Sequence, residues 1–355
     1  YPTHGLRLFA LEDAELQEAC FKIANDWLID YCQKVPDRLF GIALISMFDI
    51  DQAIAEMKRC KEQGVVGTMI WQVPHPKLPF TSEHYERFWA ASQDLQLPVH
   101  LHILTGFGDS MHRQTSHGIK RYRIGVQQTR EIEDALFDIL FTGVLERYPR
   151  LKVVSVENEI GWMPFWLGQC DKAFKRHRHS EKLTIDKLPS EYFRRQVYAT
   201  FFNDPVGAKL FSWWGCDNFM WSNDYPHHRH DWPYSRRVIE ETMAGVPEDE
   251  IEGAKSRYTL IVTLARRERL TFVFAYKFVF DFFIRDLRIA DLNFLGATKK
   301  IRDTRWLLRH RFLKKSGRIG LFDSTIPYTL QRPNLKRRRH SRGFTRNTLI
   351  SSQRR

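Results

Sequence analysis

The chain has 355 residues, of which 43% are hydrophobic, so it can bury a substantial core and is not a disordered or fibrous polymer over most of its length. Its net charge of +13 is unevenly distributed, since residues 256–355 hold 25 Lys or Arg and 6 Asp or Glu, whereas residues 1–255 hold 30 and 36. A mildly acidic body therefore precedes a basic tail, and the two need separate explanations.

Elements of alternating type follow one another along the body. Short apolar runs alternate with longer segments of helical period from about residue 35 onward, which is the pattern of βα units and a parallel sheet. In chain order we predict a helix over 13–32, a strand over 39–46, a helix over 51–63, a strand over 65–71, a helix over 82–95, a strand over 98–103, a helix over 127–147, a strand over 151–157, a helix over 162–176, strands over 196–202 and 218–222, and a helix over 233–244. Ser82 is well placed to cap the helix that it opens.

This pattern suits either an open doubly wound sheet or a closed (β/α)8 barrel. No Gly-rich dinucleotide turn or P-loop follows any predicted strand, which weakens the nucleotide-binding open sheet. A barrel needs eight strands and six are predicted. We therefore expect an incomplete (β/α)8 TIM barrel over residues 1–255, lacking strands 1 and 2 because an N-terminal portion is missing, followed by an irregular basic tail over 256–355.

The cysteines and apolar runs indicate the compartment. Five cysteines without a Cys-x-x-Cys pair argue against a disulfide scaffold or structural zinc and favour a reducing cytosol. We see no signal peptide. The longest apolar run, 270–284, contains Lys277 and Asp281 and is shorter than the roughly 20 residues of a membrane span. We expect a cytoplasmic protein without a membrane partner.

Polar side chains follow three of the predicted strands, at the edge where active sites of barrels lie. His100 and His102 alternate on the third strand and so face the same side, which suits either a hydrogen-bonded core or a metal site. Glu157 ends the fourth strand, where a carboxylate must be solvated, paired or coordinated. Asp224 follows the last strand and is either an ordinary turn residue or part of a metal site that activates water.

Several motifs make the sequence resemble the amidohydrolase-related family that includes aminocarboxymuconate semialdehyde decarboxylase and the resorcylate-type decarboxylases. They are Tyr1-Pro2-Thr3, Pro36-Asp37-Arg38, Phe88-Trp89-Ala90-Ala91, Leu97-Pro98-Val99 leading to His102, Glu157 leading to Gly161-Trp162-Met163-Pro164, and Asn223-Asp224-Tyr225-Pro226-His227. They extend from residue 1 to about residue 251, and their order and spacing carry the resemblance.

The resemblance implies a (β/α)8 barrel with one divalent metal ion, zinc or manganese. Relatives take ligands from a His-x-His or Glu-x-His pair after strand 1, a histidine after strand 5 and an aspartate after strand 8. If the six predicted strands are strands 3 to 8, His102 and Asp224 match the last two ligands. The strand 1 pair is absent, because His4 is a solitary histidine, and the family's Asn-Ala-x-x-Leu-Tyr signature is also absent. We expect this chain to bind metal weakly or not at all.

The resemblance also suggests a reaction and roles in it. Asp224 would be catalytic, either taking a proton from water for hydrolysis or delivering one to the ring carbon that loses carbon dioxide. Glu157 is the other predicted catalytic residue and would polarise the substrate or a side chain beside it. His100, His227 and Trp162 are predicted substrate-binding residues, although His100 could instead support a metal ligand from behind. The predicted function is a metal-dependent hydrolase or nonoxidative decarboxylase of a small cyclic or aromatic carboxylic acid, impaired in this truncated chain.

Other interpretations stay open. Trp71, Trp162 and Tyr225 either line the pocket or belong to the core, and His228 and His230 suit a solvated loop. The barrel could instead be a catalytically inactive interaction or subunit-pairing module, including a homo-oligomer.

The tail from residue 256 allows three interpretations. It could contact phosphates nonspecifically, be solvated sequence of low order, or be out of frame, which the sudden loss of the family pattern favours. No motif for specific nucleic-acid binding is present.

Overall fold

The computed structural model describes residues 1, 5–108, 120–211, 217–225, 227 and 230–251, with the backbone alone at 120–128. The predictions about the basic tail and the apolar run 270–284 lie outside the described residues. So do those about His4, Cys216, Pro226 and His228. Within the ranges described, no helix is both long and apolar enough to cross a membrane.

A six-stranded parallel sheet forms the centre of this α/β fold. Its strands are β1 (Ile42–Leu44), β2 (Gly67–Ile70), β3 (Val99–His102), β4 (Val153–Val156), β5 (Val197–Phe201) and β6 (Phe219–Trp221). Each lies inside a predicted strand, so all six strand predictions are confirmed. The strands neighbour one another in sequence order from β1 to β6, every pair parallel. A doubly wound sheet reverses its strand order at a switch point, and this sheet does not.

Helices connect the strands. They are a 3-10 helix at Gly5–Ala10, α1 (Ala14–Cys32), α2 (Ile50–Glu62), a 3-10 turn at Glu83–Tyr85 that leads into α3 (Glu86–Leu95), α4 (Lys120–Phe141), α5 (Val144–Arg147), α6 (Met163–His177), α7 (Pro189–Gln196), α8 (Pro205–Lys209) and α9 (Ser235–Thr242). The cap predicted at Ser82 is confirmed, since Ser82 Oγ accepts the His84 N–H at 3.2 Å.

The helix predictions need two corrections. The single helix predicted over 127–147 is wrong at its C-terminal end, because Gly143 takes φ 79° and separates α4 from α5. Helices α7 and α8 were not predicted from the sequence. Both begin with proline and have only eight and five residues, too few to establish a clear apolar period.

The two faces of the sheet differ in what they bury. On one face, alternate strand residues such as Val99, Leu101 and Val153 join the main core together with residues of the connecting helices. On the opposite face Val154, Val156 and Met220 form a small second cluster, with Tyr1 and Tyr198 packed against it. The register pairs His100 with Val154 and His102 with Val156, so both histidines lie on this second face, as their alternation predicted.

Candidate active site

His102 and Glu157 form a buried pair at the carboxyl ends of β3 and β4. His102 Nδ1 lies 2.8 Å from the carbonyl oxygen of Ile103, and because a carbonyl only accepts, Nδ1 carries a proton. His102 Nε2 lies 3.1 Å from Glu157 Oε1. In the neutral tautomer both of these atoms would be acceptors. A proton or another cation between these two atoms accounts for their approach.

Glu157 is held in its ionised form. Burial raises the pKa of its carboxyl. The charge and hydrogen bond of His102, together with the charge of His227, lower the pKa by more than burial raises it, so the pKa lies below its usual range. The side chain is 24% exposed, against 2% for His102. Glu157 therefore presents a negative charge at the mouth of the sheet at neutral pH.

Asp224 lies near the same mouth, three residues beyond the end of β6. Its Oδ2 accepts a hydrogen bond from His227 Nδ1 at 3.0 Å, and its side chain is 12% exposed. Burial, then the charge of Glu157, raise the pKa of Asp224 to about 6, against the opposing effects of His227 and His102. The structure thus brings together four of the predicted site residues, which are Glu157, Asp224, His102 and His227.

Glu157 and Asp224 both have an unusual backbone conformation. Glu157 has φ 64° and Asp224 has φ 54°, and such left-handed conformations are uncommon for residues other than glycine. They persist where the surrounding structure enforces them, and they cluster at functional sites. The two positions are the ones that the sequence singled out as candidates.

The donor set is compatible with a metal but incomplete. His102 has the orientation of a typical ligand, because a backbone carbonyl fixes Nδ1 and leaves Nε2 toward the site. Asp224 and Glu157 add carboxylate oxygens nearby. Among the described residues, however, no three His, Cys, Asp or Glu side chains form a group that could hold a metal ion. These residues therefore offer only part of a ligand shell, and weak metal binding stays a prediction.

The side chains of His100 and Trp162 both make hydrogen bonds within the protein. His100 is 3% exposed, and its Nδ1 lies 2.6 Å from the hydroxyl of Tyr1. Burial lowers the pKa of His100 to about 3, so its imidazole is neutral. The ring N–H of Trp162 donates to the carbonyls of Asn158 and Glu159 at 2.9 and 3.2 Å. A substrate contact by either residue stays a prediction.

Trp71 and Tyr225, two aromatic residues that could line the pocket or belong to the core, differ in their burial. Trp71 is fully buried, and its ring nitrogen donates to the Tyr85 hydroxyl at 3.2 Å, so it belongs to the core. Tyr225 is half-buried and meets His230 and Trp232 edge-on, at ring-centre distances of 5.2 and 6.1 Å. These contacts join Tyr225 to residues 230 and 232.

The residues that hold the Glu157 loop were not predicted from the sequence. Thr200 Oγ1 accepts the Glu157 N–H at 2.9 Å. Glu159 accepts a bond from Phe202 N–H, and Asp204 accepts one from Ile160 N–H, so the same two segments are joined again. Burial raises the pKa of Glu159 to about 7, although a bond from Phe202 N–H opposes this. The Asp204-Pro205 pair is a recognisable helix start and could have been found. Contacts between distant loops leave no such signal.

Comparison with known proteins identifies the family of this chain. Residues 6–254 match the family model described as Amidohydrolase. Gamma-resorcylate decarboxylase of Polaromonas sp. is 26% identical over an alignment of 243 residues, and the match covers 63% of this chain and 72% of that protein. The same enzyme of Rhizobium sp. is 24% identical over an alignment of 246 residues, and the match covers 61% of this chain and 70% of that protein.

Solved structures show the same fold. The 2,6-dihydroxybenzoate decarboxylase from Rhizobium superposes with a TM-score of 0.61 at 19% identity, covering 73% of this chain and 81% of that one. The dihydroxybenzoic acid decarboxylase of Polaromonas sp., with bound manganese and the inhibitor 2-nitroresorcinol, gives 0.60 at 21% identity, covering 75% and 82%. Because the family model spans well over half of the sequence, this chain belongs to the amidohydrolase family.

Proposed function

We propose that the protein is a nonoxidative carboxy-lyase that releases carbon dioxide from a small aromatic carboxylic acid with the help of a divalent metal ion. The observation that carries the proposal is the convergence of His102, Glu157 and Asp224 at the carboxyl ends of β3, β4 and β6. The similarity to gamma-resorcylate decarboxylases favours decarboxylation over hydrolysis and a hydroxybenzoate as substrate. In this proposal the six strands are strands 3 to 8 of a (β/α)8 barrel.

The reaction exchanges one bond for another at the ring. The bond between the ring carbon and the carboxylate breaks, its electron pair stays on the ring carbon, and a proton forms the new carbon–hydrogen bond. We assign the proton transfer to Asp224, because its carboxyl lies at the same mouth as Glu157 and, in the metal-free chain, burial and the charge of Glu157 raise its pKa to about 6. His227 holds the Asp224 carboxyl by its hydrogen bond. In the metal-free chain Glu157 stays ionised and its carboxylate lies 3.1 Å from His102 Nε2.

A metal would add positive charge for the substrate's carboxylate and hydroxyl groups. His102 and Asp224 are the residues that we propose would hold it, as the family pattern implies. Manganese is bound in the related decarboxylase from Polaromonas sp., and zinc is the other candidate.

The test is direct. We expect the purified chain, supplied with Mn²⁺ or Zn²⁺, to release carbon dioxide from 2,6-dihydroxybenzoate and, in D₂O, to leave one deuterium on the ring carbon. EDTA should abolish the release. As a matched control, Asp94→Asn changes an exposed aspartate paired with Arg150 and should leave the rate unchanged. If no aromatic acid loses carbon dioxide at any metal concentration, the proposal is wrong.

A second candidate is a catalytically inactive barrel that pairs with other subunits. It is favoured by the lack of a three-donor metal group among the described residues. Metal analysis separates the two candidates, because one equivalent of tightly held divalent ion in the purified protein would eliminate the inactive module. Protein that takes up no metal and shows no turnover would support it.

A further inference from the structure

A series of hydrogen bonds ties the loop that carries Glu157 to the end of β5 and to the residues that follow it. Each bond joins one residue of 157–161 to one residue of 200–204. The bonds run from Glu157 N to Thr200 Oγ1 at 2.9 Å, from Phe202 N to Glu159 Oε2 at 3.1 Å, and from Ile160 N and Gly161 N to Asp204 Oδ2 at 2.8 and 2.5 Å. Four of the five residues of this loop, 157 and 159–161, therefore bond to residues 200–204.

Asp204 makes more bonds than a helix cap needs. Its Oδ1 accepts the Gly207 N–H at 2.8 Å, which is an ordinary N-cap for α8. Its Oδ2 reaches the other loop and accepts two further N–H groups. Asp204 is only 9% exposed. Hydrogen bonds to an ionised acceptor are roughly twice as strong as neutral ones, so this contact is a substantial link between the loops.

The backbone around this carboxylate leaves no spare room. A Cβ atom at Gly161 would lie 2.9 Å from Asp204 Oδ1, and one at Gly207 would lie 2.8 Å from Oδ2. Glycine at both positions lets the two backbone segments approach the carboxylate closely. The loop accordingly has one well-defined position relative to Asp204.

The Glu157 loop needs such an anchor. Glu157 and Glu159 have φ 64° and 56°, so two residues out of three are left-handed without being glycine. This conformation is disfavoured for residues other than glycine. Without external bonds, the loop would relax to ordinary conformations and turn the Glu157 side chain away.

We propose that Asp204 is a positioning residue for the reaction, which fixes loop 157–161 so that the Glu157 carboxylate meets His102 Nε2. The inference rests on the proposed function, because it assigns Asp204 an effect on turnover through Glu157. Asp204 itself does not touch the substrate.

The variants separate capping from positioning. Asp204→Ser keeps an oxygen that can cap α8 but is too short to reach Ile160, and Asp204→Asn keeps the size but replaces one acceptor oxygen by a donor. We expect both to lower kcat/KM by roughly 10- to 100-fold. Asp13→Ser, at the N-cap of α1, is the matched control, since Asp13 caps through Leu16 N–H only, and it should lower kcat/KM less than about threefold.

A double-mutant cycle then tests the route of the effect. If Asp204 acts through Glu157, adding Asp204→Ser to Glu157→Gln should change kcat/KM by less than about threefold. An undiminished loss in that background would show that Asp204 acts independently, and it would overturn the proposal.

Crystal structures of metal-free Asp204→Ser and Asp204→Asn provide a readout without activity. We expect loop 157–161 to shift and the contact between Glu157 and His102 to open. An unmoved Glu157 would overturn the inference. If the wild-type chain decarboxylates nothing, the proposed function fails, whereas these structures still decide whether Asp204 positions Glu157.

Discussion

The ends of β4 and β6 present the same kind of residue in opposite electrostatic states. Glu157 and Asp224 each follow a strand on left-handed backbone and each pairs with a histidine. The partner of Glu157 is the buried His102, which outweighs burial and keeps the pKa low. The partner of Asp224 is the more exposed His227, which does not, and the pKa rises to about 6. Neighbouring carboxyls with separated pKa values indicate separate roles, one fixed charge and one proton carrier.

The largest expected effect comes from removing the proton carrier. Asp224→Asn keeps the shape but leaves no carboxyl to protonate the ring carbon, so kcat should fall by roughly 1,000-fold. The measurement is carbon dioxide release, with Asp94→Asn as the control. Full activity in Asp224→Asn would remove Asp224 from the mechanism and end the comparison between the two strand ends.

Removing the fixed charge should do less. Glu157→Gln preserves a hydrogen bond to His102 but not the charge, and we expect kcat/KM to fall roughly 100-fold. Because the charge of Glu157 raises the pKa of Asp224, that pKa should drop below 6 in the metal-free variant. Carboxyl ¹³C NMR, with the Asp224 signal assigned from Asp224→Asn, measures it. An unchanged titration would mean that the two carboxyls are independent.

His227→Gln should shift the pKa of Asp224 in the opposite direction from Glu157→Gln and should cost less activity. Since His227 lowers the pKa of Asp224, its replacement should move the metal-free titration above 6, and kcat should fall by roughly 10-fold as the carboxyl loses its anchor. The same NMR experiment compares the two variants directly. Shifts in the same direction for Glu157→Gln and His227→Gln would contradict the arrangement described for the site.

The sequence was sufficient to predict much of this fold. Buried parallel strands are short continuous apolar runs, and β3 and β4 each stood out for that reason. His102, Glu157 and Asp224 could be proposed because strand ends of one sheet share an edge. The helix α8 could not be predicted from period, since five residues span barely more than one turn.

Electrostatic roles were beyond the sequence for a different reason. Whether a carboxyl is held ionised or close to neutral depends on burial and on partners far away in the chain. Glu157 is 55 residues from His102, and its backbone bond to Thr200 spans 43 residues. The bonds from Asp204 to the Glu157 loop could not be predicted either. The Asp204-Pro205 pair predicts a helix start, but it does not indicate which groups bond to the second carboxylate oxygen.

The smallest expected effect concerns stability and tests the raised pKa without any substrate. The pKa of Asp224 lies near 6 in the folded chain and at its ordinary value of 3.8 when unfolded, so between these pH values the folded state binds more protons and stability falls as pH rises. Above pH 6 the whole penalty is present, and below 3.8 it vanishes. Asp224→Asn removes the ionisation, so it should raise the free energy of unfolding at pH 7.5 by about 1 kcal/mol, a value discounted for partial exposure. Urea titrations of metal-free protein at pH 7.5 and 4 measure the difference. If Asn stabilises equally at both values, the gain does not come from the charge, and the contrast between Asp224 and Glu157 has another origin.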